Sequence, residues 1–228
     1  RVGAVVTKSI TAEPREGNKP WRILDAPAGM LNAIGLANMG VEAFVRDQLP
    51  RAESCAATVI GSVAGNGIGA YVKVAAAFDA APLVPAIELN VSCPNTADGL
   101  IFGEDPASLR SLLAEVRPAS EPNAPSILKR AEAAVARGAA ALTLINTCTA
   151  LSIDVHTRKP RIANGTAGYS GPGIHPIAVR MVRDVYRSVA KQAGVPIIGL
   201  GGVMRWEDAA EFILAGATAV GMGTALFV

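Results

Sequence analysis

Aromatic residues are scarce: phenylalanine, tyrosine and tryptophan make up 4% of the 228 residues. That favours close helix-on-sheet packing over aromatic binding surfaces. Charge is modest too, at 18% of residues with a formal net of +2. No lysine or arginine block stands out, so the basic footprint of a nucleic-acid binder is missing. No apolar run approaches the length that spans a bilayer, and no signal peptide is visible. Neither nucleic acid nor a membrane is an expected partner. Cysteine occurs three times, at Cys55, Cys93 and Cys148. An odd count without CxxC spacing argues against a disulfide framework and against a zinc site. No metal is expected, and the thiols predict a cytoplasmic setting. Histidine occurs twice, at His156 and His175. His156 lies in the polar loop "DVHTRKPRIANGT", where exposure is the default. His175 directly precedes Pro176, where capping is the expected role. A cysteine–histidine nucleophile is therefore weakly supported.

What is present is core material. Hydrophobic residues make up 50% of the chain, which disorder does not tolerate, and the length suits one domain, 1–228. Arg1 is an unusual start, so the true N-terminus is expected upstream. Short apolar runs without strict alternation occur at 2–10, 56–65, 86–92, 141–147, 195–202 and 218–224, the pattern of strands buried on both faces of a parallel sheet. Helices are predicted between them. Residues 105–117 start with Asp105 as N-cap and Pro106 at the first helical position. Leu109, Leu112, Leu113 and Val116 then share one face. Residues 176–193 repeat the design with Ala178, Met181, Val182, Val185, Tyr186 and Val189, and Gly194 is the stop. Further helices are predicted at 126–137 and 207–215. The alternation implies an α/β fold with a parallel sheet. It fails once: helices 105–117 and 126–137 follow one another with no strand between them, so a strand is expected to be missing near Ala119–Ser120.

In parallel α/β folds, functional side chains collect at the C-terminal ends of strands. Those ends read Thr7-Lys8-Ser9, then Asn90, Ser92 and Cys93, then Asn146-Thr147, then Gly201-Gly202, then Gly223-Thr224. "GLGGV" and "GMGT" on consecutive strands suit a phosphate site built from backbone amides, the Thr224 hydroxyl and the start of a following helix. Tight strand-to-helix turns are the plainer explanation of such glycines, but two adjacent motifs favour a phosphate cofactor. Lys8 reads as a solvated strand-end charge or as a cation for an anionic substrate or a reduced cofactor ring. Asn32 is expected on an apolar loop before a helix, where the adjacent amides of residues 33 to 36 can cradle a carboxylate. Cys93 stands as nucleophile, general base on a carbon acid, or inert thiol. Cys55 and Cys148 lack a polar setting and read as structural.

Together "ELNVSCPN", "TKSITAEPREGN", "GMLNAIGLANMG", "TLINT", "SGPGIHPIAVRMV" and "IIGLGGV…AAEFILAGATAVGMGTALF" resemble the dihydroorotate dehydrogenases over nearly the whole chain. The resemblance implies a flavin-binding (β/α)8 TIM barrel that oxidises dihydroorotate to orotate in pyrimidine biosynthesis. It makes Cys93 the base that removes the substrate C5 proton, with a hydride passing from C6 to N5 of FMN. Cysteine there is similar to the soluble class, since the membrane-bound class has serine. The substrate would be held by Lys8, Asn32, Asn90, Asn146 and Thr147, with the amides of Ala33, Ile34, Gly35 and Leu36 at its carboxylate. FMN would contact Lys8, Ser9, Asn90, Ile145, Gly171, Gly201, Gly202, Gly223 and Thr224. "GMLNAIGL" and "KPRIANGTAGYSGP" look most like the NAD-linked branch, which implies a homodimer paired with a subunit carrying FAD and a two-iron cluster. The fumarate-using branch usually differs in the first of these loops.

The chain departs from that family in four ways. The first barrel strand is expected to be missing before Arg1, the C-terminal helix after Val228, and a lysine-bearing strand near Ala119–Ser120. Position 62 is serine where a flavin-contacting asparagine is usual. Two other functions stay open: a flavin enzyme acting on another dihydropyrimidine or cyclic substrate, and a degenerate paralogue that binds a partner without catalysing.

Overall fold

The computed structural model describes residues 2–91, 106–116 and 127–227. The first half of the chain forms β1 (Ala4–Val6), β2 (Ile23–Ala26), β3 (Gly29–Asn32), α1 (Val41–Ala43), β4 (Thr58–Val63), α2 (Ile68–Asp79), β5 (Ala86–Leu89) and α3 (Pro106–Val116). The second forms α4 (Ile127–Ala136), β6 (Leu142–Leu144), β7 (Cys148–Ala150), β8 (Ile153–Asp154), β9 (Lys159–Pro160), β10 (Ala167–Ser170), α5 (His175–Val185), α6 (Lys191–Ala193), β11 (Ile197–Leu200), α7 (Trp206–Ala215) and β12 (Ala219–Gly221).

All six predicted strands form, each shorter than its apolar run, and they pair in parallel as two arcs. One is ordered β1-β4-β5 and the other β12-β11-β6. Their registers include Ser62 opposite Glu88, Thr143 opposite Ile198, and Leu200 opposite Gly221. The α/β character and the parallel pairing match expectation. A closed eight-stranded barrel is not formed by the described residues: the arcs share no backbone ladder, so their outer strands are edges. Val5 and Val6 of β1 are exposed there. The arcs do touch, through the Thr143 hydroxyl donating to Glu88 Oε2 at 2.8 Å. The gap expected near Ala119–Ser120 and the cap expected at Asp105 lie outside the described residues.

Each arc buries one face under helices, and both use the same device. The central strand of the first carries Gly61, where an added Cβ would lie 2.6 Å from the Phe78 ring of α2. The central strand of the second carries Gly199, where it would lie 2.6 Å from the Phe212 ring of α7. Glycine thus seats a phenylalanine directly on the sheet. Around Phe78 gather Ile10, Val41, Val63, Val74 and Leu112. Around Phe212 gather Leu142, Ala178, Val182, Val185 and Ile197. The α5 stripe is as predicted, with Met181 and Tyr186 partly buried at its margin. Its helix is not uniform: a π-helical turn at Tyr186–Ala190 separates α5 from α6. At the end of α7, Gly216 (φ 112°) leaves room for the Tyr186 ring, which any Cβ would strike.

A third layer was not anticipated from the sequence. β2, β3, β10 and β7 form an antiparallel sheet in that order, and β8 pairs with β9 as a hairpin. Its own small core is Leu31, Ala33, Ile162 and Ala167. Asn32 therefore closes strand β3, opposite Gly168 of β10, rather than lying on a loop before a helix. Cys148 starts β7 and packs against the second arc. Cys55 is exposed, so the structural role expected for it is not found.

Phe212 is fully buried. Phe212→Ala is expected to cost about 3–5 kcal/mol, measured as a lower denaturation midpoint in urea. Loss of only a few tenths would mean that the ring is not the seat of the second arc.

Candidate active site

The ends of the first arc are joined by side chains. Ser9 and Ser62 hydroxyls are 2.9 Å apart, and Asn90 Nδ2 donates to Ser9 Oγ at 3.0 Å. The Ser62 N–H donates to Thr7 Oγ1 at 2.9 Å, and the Tyr71 hydroxyl donates to the Asn90 carbonyl at 2.7 Å. Ser62 is 2% exposed, so its hydroxyl tightens the strand ends. Lys8, on the same strand end, is exposed.

The ends of the second arc lie level by register. Ile145 N–H donates to the Leu200 carbonyl at 2.8 Å, which sets Asn146 beside Gly201. The pairing of Leu200 with Gly221 carries Gly202 alongside Gly223. Gly201 (φ 141°) and Gly202 (φ 69°) take conformations that favour glycine. Gly171 (φ 107°) belongs to this cluster, since a Cβ on Gly202 would lie 2.7 Å from the Gly171 carbonyl oxygen. At Gly223 an added Cβ meets nothing within 4 Å. Glycine turns packed against each other, next to open space and the Thr224 hydroxyl, fit a phosphate-bearing cofactor. Thr224 begins a four-residue 3-10 turn, Thr224–Phe227, so the full helix expected behind it is not formed by the described residues.

The antiparallel sheet supplies the third wall. Asn32 Nδ2 lies 3.5 Å from the Gly168 carbonyl, and the Thr147 side chain fills the space that a Cβ on Gly168 would need. Asn32 and Thr147, 115 positions apart in the chain by their numbering, thus meet over one glycine. The Thr147 N–H donates to Asn146 Oδ1 at 2.8 Å. Residues 33 to 36 leave β3 as a loop pinned from both sides. Asn18 Nδ2 donates to the Ala33 carbonyl at 2.9 Å, while its N–H donates to the Ile34 carbonyl at 3.0 Å. Asn38 Nδ2 donates to the Leu36 carbonyl (2.7 Å) and to Thr11 Oγ1 (2.8 Å), and its Oδ1 accepts from Gly40 N–H (2.8 Å) and Thr11 N–H (3.2 Å). Gly35 (φ 75°) and Leu36 (φ 58°) both stand in the left-handed region. Through Thr11 the same asparagine ties this loop to the segment after β1 that carries Lys8.

Ser92 and Cys93 lie outside the described residues. Asn18, Asn38 and Tyr71 carry no site role in the sequence pattern alone. For Asn38 a signal existed, an asparagine two residues before Gly40, the pattern of a side chain that closes a turn on its own backbone. His175 does not cap its helix: its imidazole is turned inward, 2.9 Å from the Gly201 carbonyl. His156 is exposed, as read. A hollow of about 460 Å³ lined by Trp21, Leu24, Asp154, Thr157, Pro160 and Arg161 opens on the antiparallel sheet and holds none of the strand-end residues. Among the described residues no group of His, Cys, Asp and Glu is arranged to hold a metal, and no helix is long and apolar enough to cross a membrane.

The family model for dihydroorotate dehydrogenase matches residues 1–228. The chain belongs to the dihydroorotate dehydrogenase family. It is 45% identical to the dihydroorotate dehydrogenase B (NAD(+)) catalytic subunit of Trichlorobacter lovleyi, over 100% of this chain and 77% of that protein. It is 46% identical to the protein of the same name from Desulforudis audaxviator, over 100% of this chain and 76% of that one, and 43% identical to that of Geotalea uraniireducens with the same 76% coverage. The family's members are flavin-dependent oxidoreductases of pyrimidine biosynthesis, and the glycine turns above fit such a group.

Two measurements probe this geometry. Ser62→Ala removes one partner of the Ser9 hydroxyl and is expected to lower stability by about 1 kcal/mol, read by urea denaturation. Asp208 accepts the N–H groups of Met204 and Arg205, at 2.8 and 2.9 Å, and these bonds hold its carboxyl below the ordinary value of 3.8. Its contribution is therefore complete above 3.8 and lost as pH falls through the lower folded value. Asp208→Asn should flatten the acid limb of the stability–pH curve over that window.

Proposed function

We propose that this chain is the catalytic subunit of an FMN-dependent dihydroorotate dehydrogenase that oxidises dihydroorotate to orotate. The observation that carries it is the match of the whole chain, at 45% and 46% identity, to catalytic subunits of that name. The converging strand ends support it. They offer amide donors and acceptors for a ring with amide edges, a lysine for its anion, and glycine turns for a phosphate.

In this reading Cys93 acts as thiolate and takes the proton from substrate C5. The electrons of that C–H bond form the C5–C6 double bond as C6 gives up its hydride. Bound FMN supplies the hydride acceptor. Asn32, Asn90, Asn146 and Thr147 orient the ring through hydrogen bonds, and Lys8 adds positive charge near the pocket. The amides of Ala33, Ile34, Gly35 and Leu36, in a loop braced by Asn18 and Asn38, receive the carboxylate. Lys8, Ser9, Asn90, Ile145, Gly171, Gly201, Gly202, Gly223 and Thr224 hold the cofactor. Ser62 and Tyr71 fix Ser9 and Asn90 from behind, so the flavin wall is braced before anything binds. The words "catalytic subunit" and "NAD(+)" in the relatives' names support a partner subunit that passes electrons to NAD; in the proposed assembly that partner carries FAD and an iron–sulfur cluster, and this chain is a homodimer in the cytoplasm.

The test is anaerobic reduction. The visible flavin absorbance of the purified protein should bleach on addition of dihydroorotate and not on addition of dihydrouracil. Bound flavin that dihydroorotate leaves oxidised rules the reading out. Bleaching by dihydrouracil alone assigns a different ring. Cys93→Ala should keep FMN and slow the bleaching by about 10²- to 10⁴-fold. Unchanged kinetics remove Cys93 from its role.

A further inference from the structure

The glycine turn after β11 is held from behind by a histidine that the proposed chemistry does not use. His175 is 8% exposed. Its ring stands edge-on to Phe212, centroids 5.1 Å apart, and its Nδ1 lies 2.9 Å from the Gly201 carbonyl oxygen. A carbonyl only accepts, so Nδ1 carries the proton. On the other side of the ring, Nε2 lies 3.3 Å from Glu211 Oε2. That contact has ion-pair distance without hydrogen-bond alignment. The ring's directional bond is therefore the one to Gly201. Glu211, on α7, is a charged group at contact distance from the ring, and Asp208 lies three residues before it on the same helix.

The peptide that His175 holds is the one most in need of holding. Gly201 and Gly202 have no Cβ to restrict rotation of the unit between them. In a trans peptide the C=O and the following N–H point in opposite directions. With the Gly201 carbonyl drawn toward α5, the Gly202 N–H is aimed to the far side of the turn, away from α5. Asp208 fixes the other end of the same turn through the Met204 and Arg205 N–H groups. The turn is thus clamped at both ends, once by a side chain packed in the core and once by a helix-start carboxylate.

We propose that His175 is a positioning residue for the phosphate end of the flavin, its Nδ1–H locking the Gly201–Gly202 peptide so that the Gly202 N–H faces the phosphate. The proposal rests on the reading that this turn receives FMN. A residue that served packing alone would act equally on flavins with and without a phosphate. The locked peptide instead acts through the phosphate only.

The experiment compares FMN with riboflavin, which lacks the phosphate, by fluorescence titration of the deflavinated full-length chain. His175→Phe keeps an aromatic ring against Phe212 and removes the donor. His175→Asn keeps a donor near the position of Nδ1. Wild type should bind FMN more tightly than riboflavin. In His175→Phe the FMN affinity should fall about five- to tenfold, the worth of one anchoring hydrogen bond, with riboflavin affinity unchanged. His175→Asn should recover FMN affinity to within about twofold of wild type. Equal losses for both flavins, or an unchanged FMN-to-riboflavin ratio in His175→Phe, overturn the proposal while leaving the cofactor reading intact. A wild type that binds neither flavin, or both alike, overturns the phosphate site and this proposal with it. Thermal unfolding of each apo variant shows whether it is folded. If His175→Phe is not, the ratio in His175→Asn and in His175→Gln decides in its place, Gln being expected to fall between Asn and Phe.

Discussion

A phenylalanine seated on a glycine sets the geometry of each half of this molecule. Phe78 over Gly61 and Phe212 over Gly199 bring a helix against the central strand of each arc with no side chain between ring and backbone. That contact fixes how deep each helix lies and therefore where the strand-to-helix turn emerges. Close-packed interiors yield little, so the turns inherit the positions of the rings. The glycine cluster after β11 is one residue beyond a ladder anchored this way, and its histidine prop leans on the same Phe212.

The two arcs divide the work of the site. The first contributes hydroxyls and amides that are bonded to each other, Ser9, Ser62 and Asn90, and so presents a wall whose side chains are already committed to one arrangement. The second contributes backbone, in glycine turns whose shape comes from packing and from two props, His175 and Asp208. Glu88 and Thr143 link the arcs by one hydrogen bond between side chains, a much weaker tie than the ladders inside each arc.

Much of this was legible in the sequence. Parallel strands buried on both faces leave continuous apolar runs, and all six such runs became strands. Helix stripes on α5 and α3 follow the 3.6-residue period, and Leu109 and Leu112 are buried as that period requires. The polar residues at strand ends were found because topology gathers them there whatever their separation along the chain. The antiparallel sheet was not legible. Its strands and those of the β8–β9 hairpin are two to four residues long, too short to show a period, and they include Pro160, Gly29 and Gly168, residues that usually mark turns. Hence Asn32 was expected on a loop and not in a strand. His175 was misjudged for a related reason: its place before a proline at a helix start suggested a cap, and only the fold brings Gly201 behind it. Ser62 carried no local sign that its hydroxyl would reach Ser9, a partner 53 positions away.

The meeting of Asn32 and Thr147 over Gly168 has a bearing on how such a pocket can change. The glycine turns after β11 and β12, proposed to face the cofactor, belong to the second parallel arc and its core. Asn32, proposed to face the substrate, belongs to a small sheet whose own hydrophobic core has four buried residues. Their cores are separate, and the two parts meet where Thr147 lies over Gly168, where Cys148 packs against the second arc and where the Gly171 carbonyl abuts Gly202. Under the proposed roles, alterations to the small sheet would change which ring is admitted while the glycine turns keep their cofactor. A side chain at Gly168 would strike Thr147, so under the proposed roles that position helps to keep substrate choice and cofactor placement in step.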